Sequence, residues 1–350
     1  MVKTDVVVIG AGPCGLFQVF ELGLQGMRAH VIDSLERAGG QCMELYPNKP
    51  IYDIPAFPSV DADELVSRLQ QQIAPFKPCF HYGQQVAEVE SLEQGRVFRV
   101  TTDHGLVIEA SAVVIATGAG SFQPVKLKVA DIDRFEDQSL FYRVRDPAVH
   151  AGKDLVILGG GDTALDWAIE LQRVANSITL IHRSDRFRAA PSSVANMQRL
   201  CEALQMQFIQ GAVTDFEADN DGRLQTLKVT AGDGVTRRLD LDQLLVFFGL
   251  SPKLGPIASW GLAMHKHQIL VDTAKFQSSV PGIFAVGDCN DYPGKKNLIL
   301  SGFHEAALAA FAIKERLTPH KKVYLQYTTT NHVMHERLGV SSPYAMDGER

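Results

Sequence analysis

The chain has 350 residues, of which 45% are hydrophobic and 21% are charged, and its formal net charge is −6. This length suggests about two domains at roughly 150 residues each, and an acidic balance argues against a nucleic-acid binder, which normally carries a basic surplus. No apolar run reaches the roughly 18 residues that span a membrane, so we expect no membrane partner.

The first predicted unit is a β-α-β unit over residues 4–33. Its first strand leads into GAGPCG, which places Gly10, Gly12 and Gly15 at GxGxxG spacing before a helical stretch. In such a loop the first glycine permits a tight turn, the second lets a pyrophosphate approach, and the third lets helix and strand pack closely. The pattern predicts a dinucleotide-binding loop.

The two ends of this unit add to the prediction. The amides near Pro13 and Cys14 stand at the helix start, where they would meet the pyrophosphate. The second strand ends in Asp33, where a carboxylate can hydrogen-bond the hydroxyls of an adenosine ribose. The first unit is therefore expected to bind a dinucleotide with a free ribose.

The remaining elements follow in both halves of the chain. Alternating residues between 83 and 110 predict a small antiparallel meander, and a similar pattern recurs at 222–242. Further strands are predicted at 110–120 and 280–290, and helical periodicity extends over 298–317. These elements complete an α/β organisation.

A second β-α-β unit spans residues 153–183. Its loop, GGGDTA, places Gly159, Gly161 and Ala164 in the GxGxxA variant between a strand and a helix. Two such units in one chain predict two Rossmann-like nucleotide-binding domains.

The second unit ends in a basic run rather than an acid. The run HRSDRFR contains His182, Arg183 and Arg188, which would place positive charge at the ribose 2′ position. Arginine suits a 2′-phosphate through bidentate, charge-assisted contacts, so this domain is predicted to prefer NADPH. An ordinary solvated loop is the alternative.

Cysteine and histidine usage indicates neither disulfides nor a metal site. The five cysteines form no CxxC pair and no metal-ligand spacing, and the histidines at 332 and 335 lack an evident third ligand. Reduced thiols without pattern are typical of a cytoplasmic protein, which is the predicted location.

Taken in order, these motifs resemble a known family. GAGPCG with Asp33, GGQ at 39–41, ATG at 116–118, GGGDTA, HRSDRFR and FAVGD at 284–288 resemble the flavoprotein disulfide reductases with two dinucleotide domains, and within them the low-molecular-weight thioredoxin reductases. The resemblance implies two Rossmann-like domains, each with a parallel sheet, helices and a small antiparallel meander. It also implies an FAD-binding domain over 1–120 and 284–350, with a tail at 318–350, and an inserted NADPH-binding domain over 121–283.

The chain departs from that family where the disulfide should lie. Past the GG pair only Cys42 remains, with Pro47 in the position of its partner, and 140–147 contains no CxxC. Without a dithiol, thiol exchange has no protein nucleophile, so disulfide reduction is excluded. GGQCMELYPNKPIYDIPAFP and QYTTT at 326–330 instead resemble the ferredoxin (or flavodoxin)–NADP⁺ reductases of the thioredoxin-reductase-like type.

That resemblance implies a set of cofactor-binding residues. In it, Asp288 binds the ribityl chain of FAD, while Tyr46 and Tyr327 stack on opposite faces of the flavin ring. The resemblance adds further residues to the two glycine loops, Asp33 and the basic run. For FAD these are Gly40, Gln41, Tyr46, Val86, Gly118, Phe122, Gly287, Asp288, Ser301, Gly302, Tyr327, Thr328 and Thr329. For NADPH they are Asp162 and Thr163. For Tyr46 and Tyr327, an ordinary half-buried tyrosine and a surface tyrosine are the alternatives.

The predicted function is flavin-dependent electron transfer between NADPH and an acidic redox protein, ferredoxin or flavodoxin. Hydride passes to FAD and leaves in one-electron steps, and no side chain has to act as acid or base. The lysines at 295, 296, 321 and 322 offer either a solvated face or a docking site for the acidic partner. A homodimer is expected from the tail. An NADPH-dependent reductase of quinones or other small acceptors and a non-catalytic redox sensor remain the alternatives.

Overall fold

The computed structural model describes residues 2–47, 49–118, 120–219, 221–253 and 255–341, without the side chains of 121–123 and 250–253. The chain divides into two compact units, one over 1–121 and 252–350 and one over 122–251. Within the described residues the α-helices are α1 (Pro13–Leu24), α2 (Gln41–Leu45), α3 (Ala62–Ile73), α4 (Asp162–Leu171), α5 (Pro191–Glu202), α6 (Ile299–Leu317) and α7 (His332–Leu338). None of these is long and apolar enough to cross a membrane.

The strands of the described chain are β1 (Val2–Ile9), β2 (Ala29–Ile32), β3 (Pro50–Ile51), β4 (Val60–Asp61), β5 (Cys79–His81), β6 (Val86–Leu92), β7 (Val97–Thr102), β8 (Val107–Ile115), β9 (Ser121–Pro124), β10 (Leu140–Phe141), β11 (Asp154–Leu158), β12 (Ser177–His182), β13 (Gln207–Ala218), β14 (Leu224–Ala231), β15 (Thr236–Asp240), β16 (Gln243–Val246), β17 (Leu250–Lys253), β18 (Met264–His265), β19 (Gln268–Leu270), β20 (Ile283–Ala285) and β21 (Asn290–Asp291).

The first unit is built on a sheet of order β5-β2-β1-β8-β7-β6, with β20 paired to β8. The strands β5, β2, β1, β8 and β20 run parallel, and β6 to β8 form the predicted antiparallel meander. Because the parallel strands are covered on both faces, the second half of β1, Val6–Ile9, is an unbroken apolar run. One face carries α1, α3 and α6, and the other carries a second apolar cluster.

One sequence-based detail is wrong. The last meander strand and the strand predicted at 110–120 are a single strand, β8. Its first half, through Ala110, pairs antiparallel with β7, and its second half, from Val113, pairs parallel with β20. The first half of β8 is buried on one face and alternates between buried and half-buried residues, whereas its second half is buried on both faces and is continuously apolar. This change of pattern within one strand made the sequence predict two strands.

The chain returns to the first unit at residue 252. Ile257 and Ile269 pack with Val7 in one apolar cluster of this unit, so the segment before β20 belongs to its core. The sequence predicts this return at residue 284. The predicted domains are defined by the cofactor that each binds, whereas the two units are defined by compactness. The assignment of one cofactor to each domain stays a prediction.

The second unit repeats the plan with a sheet of order β10-β16-β11-β12-β13-β14-β15. Pairing is parallel from β10 to β13 and antiparallel from β13 to β15. Helices α4 and α5 cover one face, where Leu165 and Ala168 are fully buried. The predicted architecture of two Rossmann-like sheets, each with an antiparallel meander, is confirmed.

Candidate functional site

The first glycine loop connects β1 to α1 and depends on glycine at the first and last of its three glycine positions. A Cβ at Gly10, whose φ is +106°, would lie 2.4 Å from the carbonyl oxygen of Ala116, and one at Gly15 would lie 1.9 Å from that of Gly10. At Gly12, by contrast, a Cβ would meet no atom within 4 Å. The outer glycines are therefore required by packing, and the middle one faces open space.

Asp33 ties the end of β2 to this loop. One carboxylate oxygen accepts the amide of Ala11 at 2.6 Å, and the other accepts the amide of Leu35 at 2.8 Å. Burial raises the pKa of the carboxyl, and these two hydrogen bonds oppose that effect. Each oxygen retains a lone pair, so the side chain can hold the loop and still accept a hydrogen bond from a ribose hydroxyl.

The GGQ segment lies directly against the first loop. The amide of Gly39 donates to the carbonyl of Ala11 at 2.9 Å, and a Cβ at Gly40 would come within 3.2 Å of the Cα of Gly12. Helix α2 then begins at Gln41, which is half-buried. Residues distant in sequence thus share the space in front of Gly12.

Cys42 is buried in the core of the first unit and is not poised for reaction. Its Sγ lies 3.7 Å from the hydroxyl of Tyr46, and burial raises the pKa of the thiol. Burial also raises the pKa of the half-buried Tyr46. Because the thiolate is the nucleophilic form, a neutral thiol here is inert.

The C-terminal part of the chain completes the surroundings of α1. The side chain of Cys14 fits between two glycines: a Cβ at Gly302 would lie 2.2 Å from its Sγ, and one at Gly287 would lie 3.1 Å away. Burial, with Asp288 and Glu305 nearby, raises the pKa of this thiol well above its usual range. Burial also raises the pKa of the half-buried Asp288, which Lys295 opposes.

A buried polar network that the sequence did not reveal holds this region. Glu305, which is 0% exposed, accepts hydrogen bonds from the Gly287 amide at 2.7 Å, Asn290 Nδ2 at 2.8 Å, the Tyr292 hydroxyl at 3.0 Å and Lys295 Nζ at 2.5 Å. Lys295 is only 6% exposed, so reading it as part of a solvated or docking face was wrong. A glutamate inside an otherwise apolar helical run was the signal that could have indicated the pair.

The other residues predicted to contact FAD lie in the same unit, except Phe122, which begins the second unit. Val86 begins β6 and is buried, Gly118 has a φ of +59°, and Ser301 lies in the first turn of α6, which begins at Ile299 as expected. The side chain of Phe122 lies outside the described residues. The exposed amides of a helix start favour negative charge nearby, which suits the N-terminus of α6 to an anionic ring.

The second glycine loop repeats the design of the first in the other unit. A Cβ at Gly159 would lie 2.6 Å from the carbonyl oxygen of Phe247 and 2.7 Å from the Cβ of Ala164, whereas one at Gly161 would meet nothing within 4 Å. Helix α4 begins at Asp162, whose carboxylate accepts the amide of Ala190 at 2.7 Å, and Thr163 is exposed.

The basic run lies beside this second loop. The imidazole of His182 packs against Gly160, and the amide of Arg188 donates to the Gly160 carbonyl at 2.7 Å. The side chains of Arg183 and Arg188 are exposed. Burial, and the charges of both arginines, lower the pKa of His182, so the positive charge here comes from the arginines.

The tail folds back onto the first unit at the end of α1 opposite the first glycine loop. In α7, Met334 and His335 are buried, and Arg337 donates to the carbonyl of Leu24, the last residue of α1. The predicted stacking residue Tyr327 is 66% exposed, and Thr328 and Thr329 are exposed as well. Since α1 is about 18 Å long, α7 lies well away from the first glycine loop.

The residues present fit two dinucleotides. Each unit offers a strand, a glycine loop with open space at its middle glycine, and a helix start beyond it. The first loop is followed by a carboxylate that suits a free ribose, and the second by two exposed arginines that suit a 2′-phosphate.

Comparison with known sequences is consistent with this geometry. The sequence profile of the pyridine nucleotide-disulphide oxidoreductases matches residues 4–313. The chain is 59% identical over 341 residues to ferredoxin–NADP reductase 2 of Cupriavidus taiwanensis, covering 97% of this chain and 92% of the relative. It is 60% identical over 346 residues to ferredoxin–NADP reductase of Albidiferax ferrireducens, covering 98% and 97%.

Solved structures support the fold. Thioredoxin reductase of Lactococcus lactis superposes with a TM-score of 0.73 at 22% identity, covering 91% of this chain and 100% of that one. Bacillithiol disulfide reductase of Staphylococcus aureus gives 0.73 at 18% identity, covering 92% and 100%. At this level of identity the likeness concerns the fold alone.

Proposed function

The chain belongs to the pyridine nucleotide-disulphide oxidoreductase family, and we propose that within it this protein is a ferredoxin–NADP reductase, an FAD-dependent enzyme that transfers electrons between NADPH and ferredoxin. Flavodoxin is proposed as an alternative protein partner. When bound, FAD supplies the conversion between a two-electron hydride donor and single-electron acceptors.

One observation carries the proposal: the first unit has the glycine loop of a flavoprotein reductase but no pair of cysteines beside it. All five cysteines lie among the described residues and are free. Cys42 is buried, and burial raises the pKa of its thiol and those of Cys14 and Cys289. With no dithiol to accept electrons, an acceptor has to come from outside the chain, and the relatives at 59% and 60% identity are named for ferredoxin.

The protein's own contribution is to bind and position FAD. We propose that Gly12 admits the pyrophosphate to the amides at the start of α1, while Asp33 holds the adenosine ribose. Asp288 would hold the ribityl chain, and Glu305 fixes its position through the Gly287 amide, since Gly287 precedes it directly. The inert thiol of Cys42 and the ring of Tyr46 would keep water from the flavin.

NADPH is assigned to the second loop. Gly161 would admit its pyrophosphate, and Arg183 and Arg188 would bind its 2′-phosphate through charge-assisted hydrogen bonds. Because the pKa of His182 is lowered, the histidine would contribute packing against Gly160 rather than charge.

We propose that ferredoxin docks through surface lysines of the first unit. Lys296, Lys321 and Lys322 are exposed, which suits an acidic partner. Steering by such charges weakens as salt screens them. Replacing both Lys321 and Lys322 by glutamate should therefore lower the ferredoxin-dependent rate and its salt dependence, while the same change at exposed Lys153 of the other unit should not.

A homodimer is proposed from the position of the tail. The segment before α7 exposes three large apolar side chains, Tyr324, Leu325 and Tyr327, at 65%, 65% and 66%. Their own glycine loop lies at the other end of α1, so a second copy of this chain is the proposed surface for Tyr327 to cover. A cytoplasmic location is proposed because five unpaired cysteines suit a reducing compartment.

Turnover with and without ferredoxin tests the function. FAD-loaded protein with NADPH should reduce cytochrome c rapidly only when ferredoxin is added, and Cys42→Ala should keep that rate. Equal rates with and without ferredoxin, together with fast quinone reduction, would favour the small-acceptor alternative. Lack of turnover with every acceptor would favour a redox sensor.

A further inference from the structure

Three side chains with metal-binding chemistry lie together at the edge of the first sheet, away from the glycine loop. Strands β2 and β5 are parallel neighbours, with His30 opposite Cys79 and Ile32 opposite His81. Because side chains alternate between the two faces of a strand, His30, Cys79 and His81 all point to the same face. The sequence predicted no metal site because His30 and His81 are 51 positions apart.

The distances between these groups suit one ion. His30 Nδ1 lies 2.9 Å from His81 Nε2, and both nitrogens and the Cys79 sulfur lie within 4.8 Å of one another. In a tetrahedral zinc site two histidine nitrogens stand about 3.3 Å apart, and nitrogen and sulfur about 3.6 Å apart. Small side-chain rotations would reach that geometry without backbone movement.

The surroundings of the histidines permit an ion to bind. A neutral imidazole has one ring nitrogen with a lone pair that can serve as a ligand. Arg28, two residues before His30, is paired with Asp5 at 3.8 Å, which reduces its repulsion of an incoming ion.

We propose that His30, Cys79 and His81 form a binding site for a divalent ion of the zinc type, with a fourth position open to water. Two imidazoles and one thiolate form a ligand set that zinc prefers over the oxygen-seeking ions Mg²⁺ and Ca²⁺. Binding would convert the Cys79 thiol to a thiolate and release its proton to solvent. Cys79 is exposed, so an ion can reach it.

Such an ion would act next to the proposed adenosine end of the FAD site. The amide of Asp33 donates to the carbonyl of His81 at 3.0 Å, and the amide of Gln84 donates to the carbonyl of Asp33 at 3.1 Å. An ion joining β2 to β5 would therefore restrain the strand ends that position Asp33. Zinc should slow the loss of FAD from the protein during dilution.

Metal binding by the FAD-loaded protein tests the site. Zn²⁺ titrated against a chromogenic chelator should show one strong site per chain, and Co²⁺ should give ligand-field bands at wavelengths beyond the flavin absorption. Cys79→Ser, His30→Gln and His81→Gln should each weaken Zn²⁺ binding by at least about tenfold, since loss of an outer-shell partner alone costs that much. Zn²⁺ should also slow alkylation of Cys79 by iodoacetamide, followed by peptide mass spectrometry.

Matched variants separate this site from adventitious binding. Cys201→Ser and His267→Gln change a half-buried cysteine and an exposed histidine outside the cluster, and both should keep the wild-type affinity. FAD content is measured for every variant to confirm folding. Three results would each overturn the proposal: the wild type binds no Zn²⁺, Cys79→Ser binds Zn²⁺ as tightly as the wild type, or Cys201→Ser loses as much Zn²⁺ affinity as Cys79→Ser.

Discussion

Replacing Lys295 by methionine should destabilise the first unit far more than loss of an ordinary surface ion pair. Methionine keeps most of the apolar stem but removes the charge, leaving the carboxylate of Glu305 without a cation at 0% exposure. Removing one partner of a buried pair costs about 3–5 kcal/mol. Three neutral donors to Glu305 remain, so we expect a loss near the lower limit, about 3 kcal/mol.

The assay uses the position of the two tryptophans in the sequence. Trp260 lies in the first unit and Trp167 in the second. In a Trp167→Phe background, urea unfolding followed by the fluorescence of Trp260 reports on the first unit alone. FAD should also dissociate at a lower urea concentration, because the variant loses the hydrogen bond that Lys295 Nζ donates to the carbonyl of Gly287, the residue before Asp288.

Two further variants make the reasoning refutable. Lys295→Met with Glu305→Gln should recover more than half of the loss, because a neutral amide can occupy the same place without a buried charge. Arg68→Met removes an exposed pair with Glu64 at 2.6 Å and should have only a small effect. A loss for Lys295→Met no greater than that of Arg68→Met would refute a role for the buried charge.

The remaining predictions concern single groups. Burial raises the pKa of Glu21 to about 7 from a reference of 4.5, so the folded state loses stability as pH rises through this range. Glu21→Gln should therefore raise the free energy of unfolding by roughly 1–3 kcal/mol at pH 8 and leave it unchanged at pH 4, as measured by urea unfolding. Arg183→Ala with Arg188→Ala should lower the preference for NADPH over NADH, at about 1.5–3 kcal/mol for each lost contact, and an unchanged ratio of kcat/KM would exclude the basic run as the reader of the 2′-phosphate. Tyr327→Ala should raise NADPH oxidase activity and lower ferredoxin-dependent turnover with FAD still bound, whereas unchanged rates would show that this ring covers no flavin.

Local patterns in the sequence were enough to predict both β-α-β units and their glycine loops. Gly10, Gly12 and Gly15 follow a strand and precede a helix, and the acid at Asp33 comes at the end of the next strand. Every part of such a unit lies within about 30 residues, so hydrophobic periodicity and turn chemistry describe it completely. The family resemblance followed from the order of these local motifs.

Only the tertiary structure decided the environment of single side chains. Lys295 and Glu305 are buried because the segment 287–295 packs against α6 and its polar groups meet the Glu305 carboxylate, and no pattern in the sequence joins the two. Cys42 is inert because it lies in the core, although its place after GGQ is that of a reactive cysteine. His30 and His81 meet because β2 and β5 are neighbours in the sheet. Burial and long-range pairing set desolvation and charge, and both depend on which distant segments the fold brings together.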